Sequence, residues 1–143
     1  WDQPQITDSS DVIVILDKKD KTLPGSDYVK QKYMRRNLGT DAEAAYLERY
    51  QNHYEAEIEP LMSNYAWDSK QIYIALSNIM TSAASAGVDS CPIEGFNKTE
   101  TEKALQLDTS EFEVVVIVAL GYRAGEQTPR LRMNFDEAVE FID

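Results

Sequence analysis

The chain has 143 residues, of which 43% are hydrophobic, and this length and composition favour one globular domain with its own core. Its 25 acidic and 14 basic residues give a formal net charge of −11, which argues against a nucleic acid or an anionic membrane as a partner. A single cysteine excludes an intramolecular disulfide, and one cysteine with one histidine is too few for a Cys/His metal site. One histidine and no G-x-S-x-G motif also argue against a Ser/His/Asp hydrolase.

The sequence shows no export or membrane signal. No apolar run reaches the roughly 18 residues that a membrane span needs, and the first residues lack the basic start and apolar stretch of a signal peptide. We therefore expect a cytoplasmic location. Because the chain starts at Trp1 and not at a methionine, we also expect that an N-terminal segment is missing from it.

The N-terminal part predicts one strand followed by one helix. Residues 11–17 consist of an apolar, mostly β-branched run with an aspartate at each end, which is typical of a strand buried on both faces. A charged segment ending in Pro24-Gly25 then predicts a turn. Ser26 is placed to cap a helix that Gly39 closes.

Two longer helices occupy the middle of the sequence. Thr40 caps an amphipathic helix whose apolar and tyrosine side chains recur at helical spacing among acidic residues, and Pro60 ends it. The next helix covers about residues 64–86 and has many alanines and serines in its second half. Small side chains let another backbone approach closely, so we expect this helix to be central and the most buried, ending at Gly87.

The last third contains a loop, a short helix, a strong strand and a basic tail. A short extended link at residues 88–91 leads into Pro-Ile-Glu-Gly, and Asn97 with Glu100 predicts the start of a helix that ends near Leu107. Residues 112–120 include five consecutive β-branched residues and predict the strongest buried strand. Beyond it, basic and apolar groups alternate from Arg130 onward.

Two segments carry a family resemblance. Residues 83–96 read Ala-Ala-Ser-Ala-Gly-Val-Asp-Ser-Cys-Pro-Ile-Glu-Gly-Phe, and residues 114–122 read Val-Val-Val-Ile-Val-Ala-Leu-Gly-Tyr. In this order they resemble the FMN-dependent nitroreductase family, in which a long helix leads into a Pro-[Ile/Met]-Glu-Gly loop and a hydrophobic strand ends in a Gly-[Tyr/His] turn. The resemblance extends to residues 8–14, to Lys70-Gln71-Ile72-Tyr73 and to the basic tail.

The resemblance implies an α+β fold, a nitroreductase-like α/β/α sandwich with a mixed sheet, built as a single domain by residues 1–143. It implies a homodimer with exchanged C-terminal segments. It also implies an NAD(P)H oxidoreductase that uses FMN to reduce nitroaromatics, quinones or related small acceptors in two hydride-transfer steps. Members of the family begin with a basic segment that wraps the FMN, so residues 1–143 alone should hold FMN weakly or not at all.

The Pro-Ile-Glu-Gly loop, Pro92, Ile93, Glu94 and Gly95, is the first candidate site. A proline fixes one turn, and a glycine leaves backbone N–H groups free to approach a flat ring. In the family this loop lies against the flavin near N5, which implies that Glu94 and Gly95 act through their main chain.

Arginines in the tail form the second candidate site. Arg130 and Arg132 lie on the same side of an extended segment, which suits a phosphate monoester. The resemblance places them where the family has a Lys-x-Arg pair on the FMN phosphate.

Two further segments have weaker functional signals. The resemblance places Asp2 and Gln5 at the pyrimidine edge of the flavin, although the carboxylate of Asp2 offers no N–H donor where asparagine is common. It places His53 and Tyr54 on a helix that overhangs the substrate pocket. A polar terminus and a half-exposed histidine are the alternative interpretations.

Two other functions stay open from the sequence. A non-catalytic flavin-binding or interaction domain on the same fold would use the acidic, tyrosine-rich helix as its functional face. A structural domain without a ligand would have the same composition. The sequence does not identify the acceptor, and it does not distinguish NADH from NADPH.

Overall fold

The structure, a computed structural model, describes residues 2–142 as a three-stranded sheet with helices around it; Trp1 and Asp143 lie outside that range. The strands are β1 (Asp11–Lys18), β2 (Asp89–Ile93) and β3 (Phe112–Gly121). The helices are α1 (Pro4–Thr7), α2 (Asp27–Met34), α3 (Thr40–His53), α4 (Asn64–Ser85), α5 (Lys98–Ala104) and α6 (Phe135–Ala138), with a π-helical turn, Tyr54–Ile58, directly after α3. None of the described helices is long and apolar enough to cross a membrane.

The central strand, β3, is the most buried element. It lies between β1 and β2 and pairs antiparallel with both. Its residues 114–119 are all buried, as the β-branched run predicts, and Val114, Val116 and Val118 are fully inaccessible to solvent. This strand therefore forms the core of the domain.

A bulge in β3 places two consecutive residues, Val115 and Val116, on the same face of the sheet. Ile15 of β1 pairs with Val116 and Leu16 pairs with Val114, so Val115 is the extra residue. As a result Val116 packs with the α4 side of the core, whereas Val114 packs with the opposite side. Helical segments cover both faces, which agrees with the predicted α+β sandwich.

Most predicted element ends match local capping interactions. The hydroxyl of Ser26 accepts a hydrogen bond from the Val29 amide and caps α2, and the side chain of Asn97 caps α5 in the same way. Gly87 ends α4 with a φ of 77°, a left-handed conformation that favours glycine.

Several element predictions were wrong in detail. The prediction that Thr40 caps its helix fails, because α3 begins at Thr40 itself and no side chain caps it. Helix α2 ends at Met34, before the predicted stop at Gly39. The segment 88–91, expected as a link, belongs largely to β2.

The sheet itself differs from the expected one in two ways. β1 is an edge strand, and Asp11, Val12 and Ile13 are exposed instead of buried on both faces, because no described element covers this end of the strand. A mixed sheet was expected, but both strand pairings among residues 2–142 are antiparallel, because β3 runs opposite to β1 and to β2. No parallel pairing is seen in this part of the chain.

The long helix is less buried than predicted. In the single chain, Asp68 and Leu76 are the buried residues of α4, and much of its small-residue half is exposed. β3 is the most buried element instead, because α4 covers one face of the sheet and turns its other side outward.

Candidate functional site

The Pro92–Gly95 loop leaves the sheet at the end of edge strand β2. Pro92 pairs in register with Val118, a position that tolerates proline because its missing N–H lies on a strand edge. Ile93 is 2% exposed and packs in the core with Val114 and Ile117. The loop is thus anchored by Ile93, and Glu94 beyond it is exposed.

The N-terminal segment contacts this loop through a chain of two amide side chains. Gln3 Nε2 donates a hydrogen bond of 2.7 Å to the carbonyl oxygen of Gly95, and Gln5 Nε2 donates one of 2.8 Å to Gln3 Oε1. The structure therefore brings Gln5 to the loop through Gln3, a residue that the sequence analysis missed. Asp2 is exposed at the start of the segment.

Two neighbouring cavities open on the sides of Glu94. One, of about 580 Å³, lies between α4 and the loop and is lined by Tyr73, Leu76, Ser77, Met80, Thr81, Pro92, Glu94 and Val116. The other, of about 490 Å³, shares Tyr73 and Glu94 with the first and continues toward Lys98. We call the two together the loop groove. Its walls are apolar and aromatic with a few polar groups, the usual composition of a small-molecule site.

The backbone of the loop leaves donors available to this groove. Among residues 2–142, neither the amide of Glu94 nor that of Gly95 donates a hydrogen bond, although the carbonyls of both residues accept one. A backbone N–H with no partner is unusual unless it faces solvent or a ligand. The loop therefore has two main-chain donors beside an apolar groove.

A charged network forms the far wall of the loop groove. Lys98 Nζ forms an ion pair with Glu113, lies 3.9 Å from Glu102 Oε1 and stands 4.5 Å from the ring centre of Tyr65. Burial alone would lower the pKa of Lys98, but the hydrogen bond and charge of Glu113 raise it above its usual value. Lys98 therefore stays charged. This role was not predictable from the sequence, because its partner Glu113 lies on β3.

The tail arginines are not joined to the loop in the described chain. Arg130 and Arg132 are exposed, and the one side-chain hydrogen bond between them and the protein runs from Arg132 Nη1 to the carbonyl of Leu131, at 2.8 Å. Apart from α6, the tail beyond Gly121 is irregular and exposed. Both guanidinium groups are available to an anion.

His53 and Tyr54 lie at the end of α3, beside the start of α4. His53 Nδ1 is 3.3 Å from Glu57 Oε2, and its ring meets Trp67 edge-on. Tyr54 is 6% exposed, its hydroxyl donates to Asn64 Oδ1 at 3.4 Å, and burial raises its pKa. His53 faces solvent, whereas Tyr54 is a packed residue in this chain.

The sequence is similar to known nitroreductases. The model of the Nitroreductase family matches residues 10–122. The chain is 33% identical over 149 aligned residues to the protein named "Putative NAD(P)H nitroreductase YfkO" of Bacillus subtilis, with 98% of this chain and 67% of that protein covered.

Solved structures agree on the fold. A nitroreductase-like protein of Streptococcus mutans superposes with a TM-score of 0.79 at 20% identity, over 99% of this chain and 67% of that one. A nitroreductase of Exiguobacterium sibiricum, solved in complex with FMN, gives a TM-score of 0.68 at 19% identity, over 96% of this chain and 65% of that one. The chain thus spans about two thirds of the length of these proteins.

Proposed function

Because the chain belongs to the nitroreductase family, we propose that it forms the larger part of an FMN-dependent oxidoreductase. The electron donor is NADH or NADPH, and the acceptor is a small oxidised molecule such as a nitroaromatic or a quinone. The name of the Bacillus relative and the FMN complex of the Exiguobacterium structure support this proposal.

One observation carries the proposal: beside an apolar groove, the Pro92–Gly95 loop has two backbone amides that find no acceptor among residues 2–142. A flat, polar-edged ring such as a flavin needs this combination of an apolar wall and a few fixed donors. The residues present therefore fit FMN. When bound, FMN supplies the reversible acceptance of a hydride.

Each part of the loop has a distinct function in this proposal. Ile93 holds the loop rigidly against the sheet, since its side chain is packed in the core. Gln3 donates to the Gly95 carbonyl and so fixes the peptide that follows Gly95, at the end of the loop. The amides of Glu94 and Gly95 donate to the ring, and Tyr73 and Met80 exclude water from the groove.

The phosphate end of the cofactor needs basic groups, which the loop groove lacks apart from Lys98. Lys98 is already paired with Glu113. Arg130 and Arg132 have no such partner among the described residues, and we assign them to the FMN phosphate. A second copy of the chain would bring them to the loop, which also fits the exposed apolar tail.

The proposal is tested on the full-length protein by its absorption spectrum. Bound flavin gives a visible absorption band, and anaerobic addition of NADH or NADPH should bleach that band. Steady-state rates should give parallel double-reciprocal lines, because donor and acceptor occupy the same place in turn. A flavin that is retained but never bleached would support the non-catalytic alternative, and absence of flavin binding would refute the proposal.

A further inference from the structure

A stack of aromatic and basic side chains lies on α2 and α3, outside the loop groove. The rings of Tyr33 and Tyr46 stack with their centres 5.7 Å apart and their planes 19° apart. The guanidinium carbon of Arg36 lies 5.4 Å from the centre of the first ring and 5.2 Å from that of the second. Arg49 lies 5.6 Å from the centre of the Tyr46 ring. We call these four residues the tyrosine-arginine stack.

The segment of α2 that carries Tyr33 and Arg36 is basic, in contrast to the chain as a whole. Residues 30–36 contain four basic groups and no acidic one, in a chain whose net charge is −11. The acidic residues nearest in sequence on these two helices are Asp27, Asp41, Glu43 and Glu48. One of them, Asp27, is engaged with Lys30 at 3.6 Å.

The arginines of the stack have free donors. In the part of the chain that the structure describes, the side chains of Arg36 and Arg49 form no ion pair and donate no hydrogen bond to the protein. Both residues are exposed. Stacking on aromatic rings fixes the plane of a guanidinium and leaves its N–H edge open for a planar or tetrahedral anion.

We propose that Arg36, held on Tyr33 and Tyr46, binds a phosphate monoester, and that this ligand is the 2′-phosphate of NADPH. The second half of this inference rests on the proposed function. Binding of the 2′-phosphate by Arg36 makes the enzyme selective for NADPH over NADH, although Arg36 is not one of the residues assigned to the flavin.

The chemistry of the ligand follows from the charges. A phosphate monoester is close to a dianion at neutral pH and offers three acceptor oxygens to a guanidinium fork. A chain of net charge −11 repels such a group over most of its surface, so a local positive patch decides where it binds. Of the two nicotinamide nucleotides, only NADPH carries a phosphate monoester, because the bridging pyrophosphate is common to both.

The test measures binding of NADP⁺ and NAD⁺ to the full-length protein by calorimetry at low salt. These nucleotides differ only by the 2′-phosphate, and neither has another phosphate monoester, because their 5′-phosphates are joined in the pyrophosphate. We expect the wild type to bind NADP⁺ more tightly than NAD⁺. Arg36→Gln, which keeps the size of the side chain but removes its charge, should weaken binding of NADP⁺ about tenfold and leave binding of NAD⁺ unchanged. Added salt should weaken binding of NADP⁺ to the wild type.

Lys18→Gln is the matched control, because it removes one exposed positive charge from β1, where Lys18 lies 4.0 Å from Glu111. It should bind NADP⁺ within about twofold of the wild type. In turnover, Arg36→Gln should raise the KM for NADPH about tenfold, with the KM for NADH and both kcat values unchanged.

If Arg36→Gln and Lys18→Gln weaken binding of NADP⁺ equally, the inference is wrong, because the loss would then come from the net charge of the protein and not from Arg36. Equal affinity of the wild type for both nucleotides would overturn it as well. Because the nucleotide assay needs no flavin, it separates this inference from the proposed function. Loss of FMN binding with intact NADP⁺ binding would refute the proposed function alone.

Discussion

At the scale of single residues, the chain contains two buried carboxylates without a described cationic partner. Asp17 of β1 and Asp68 of α4 are 6% and 5% exposed. Asp68 accepts hydrogen bonds of 2.9 Å from the Thr22 hydroxyl and from Asn64 Nδ2, which oppose the effect of burial on its pKa. Burial, together with the charges of Asp68 and Glu113, raises the pKa of Asp17 to about 6.

The raised pKa of Asp17 predicts a pH-dependent stability. Between the unfolded value of 3.8 and about 6, the folded state keeps a proton that the unfolded state loses, so the free energy of unfolding decreases as the pH rises. Above about 6 the ionised, buried carboxylate costs up to about 3 kcal/mol. Asp17→Asn should therefore stabilise the protein at about pH 8 and change little near pH 4, as measured by urea unfolding.

Asp11→Asn is the control for that substitution. Asp11 lies on the same strand but is exposed, so its replacement should leave the stability nearly unchanged at both pH values. A loss of stability of similar size at both pH values in Asp17→Asn would contradict the explanation, because it would indicate a lost hydrogen bond instead of a relieved charge.

At the scale of elements, β3 shows what sequence periodicity can and cannot determine. Its existence and burial were predictable, because five consecutive β-branched residues are rare outside buried strands. Its bulge at Val115 was not, since a fully apolar run gives no alternation from which to assign faces. The burial of β1 was overestimated for a related reason: an edge position depends on strand order, which the run itself does not encode.

The candidate site was predictable in part. The Pro92–Gly95 loop was identified from its sequence motif, and the structure places it beside the loop groove. The Gln3 contact and the Lys98–Glu113 pair were not identified, because each joins residues that are distant in sequence. The assignment of Arg130 and Arg132 to the cofactor stays a prediction, since no described contact joins them to the loop.

The role assigned to the two arginines of the tail can be tested through FMN affinity. If Arg130 and Arg132 hold the FMN phosphate, replacing both by alanine in the full-length protein should weaken FMN by roughly two orders of magnitude or more, at about 1.5–3 kcal/mol for each charged hydrogen bond. Riboflavin, which has no phosphate, should lose little affinity. Fluorescence titration with both ligands measures the difference, and an equal loss for both would indicate misfolding instead.

At the scale of the whole molecule, the described chain exposes apolar surface that a monomer rarely keeps. Phe135, Phe141 and Ile142 of the tail are 64%, 81% and 92% exposed, and the outer side of α4 exposes Ile74. Exposed apolar groups on two separate elements are typical of a surface that another chain covers. This agrees with the homodimer that the family resemblance implies.

The assembly prediction follows from that surface. Truncation after Arg132 removes the exposed phenylalanines of the tail but keeps both arginines, so it should produce monomers or aggregates. Sedimentation velocity on the full-length and truncated proteins measures the change. An unchanged dimer after truncation would show that the tail makes no essential contact.

The Pro92–Gly95 loop is proposed to contact the flavin through its main chain, and two substitutions in the full-length protein separate main-chain from side-chain roles. Glu94→Gln keeps the backbone and should preserve the anaerobic rate of flavin reduction within a few-fold. Gly95→Val places a branched side chain where the backbone must approach the ring, and it should sharply reduce FMN occupancy or the reduction rate. If Glu94→Gln abolishes reduction while FMN stays bound, the carboxylate itself acts in the reaction and the main-chain account is wrong.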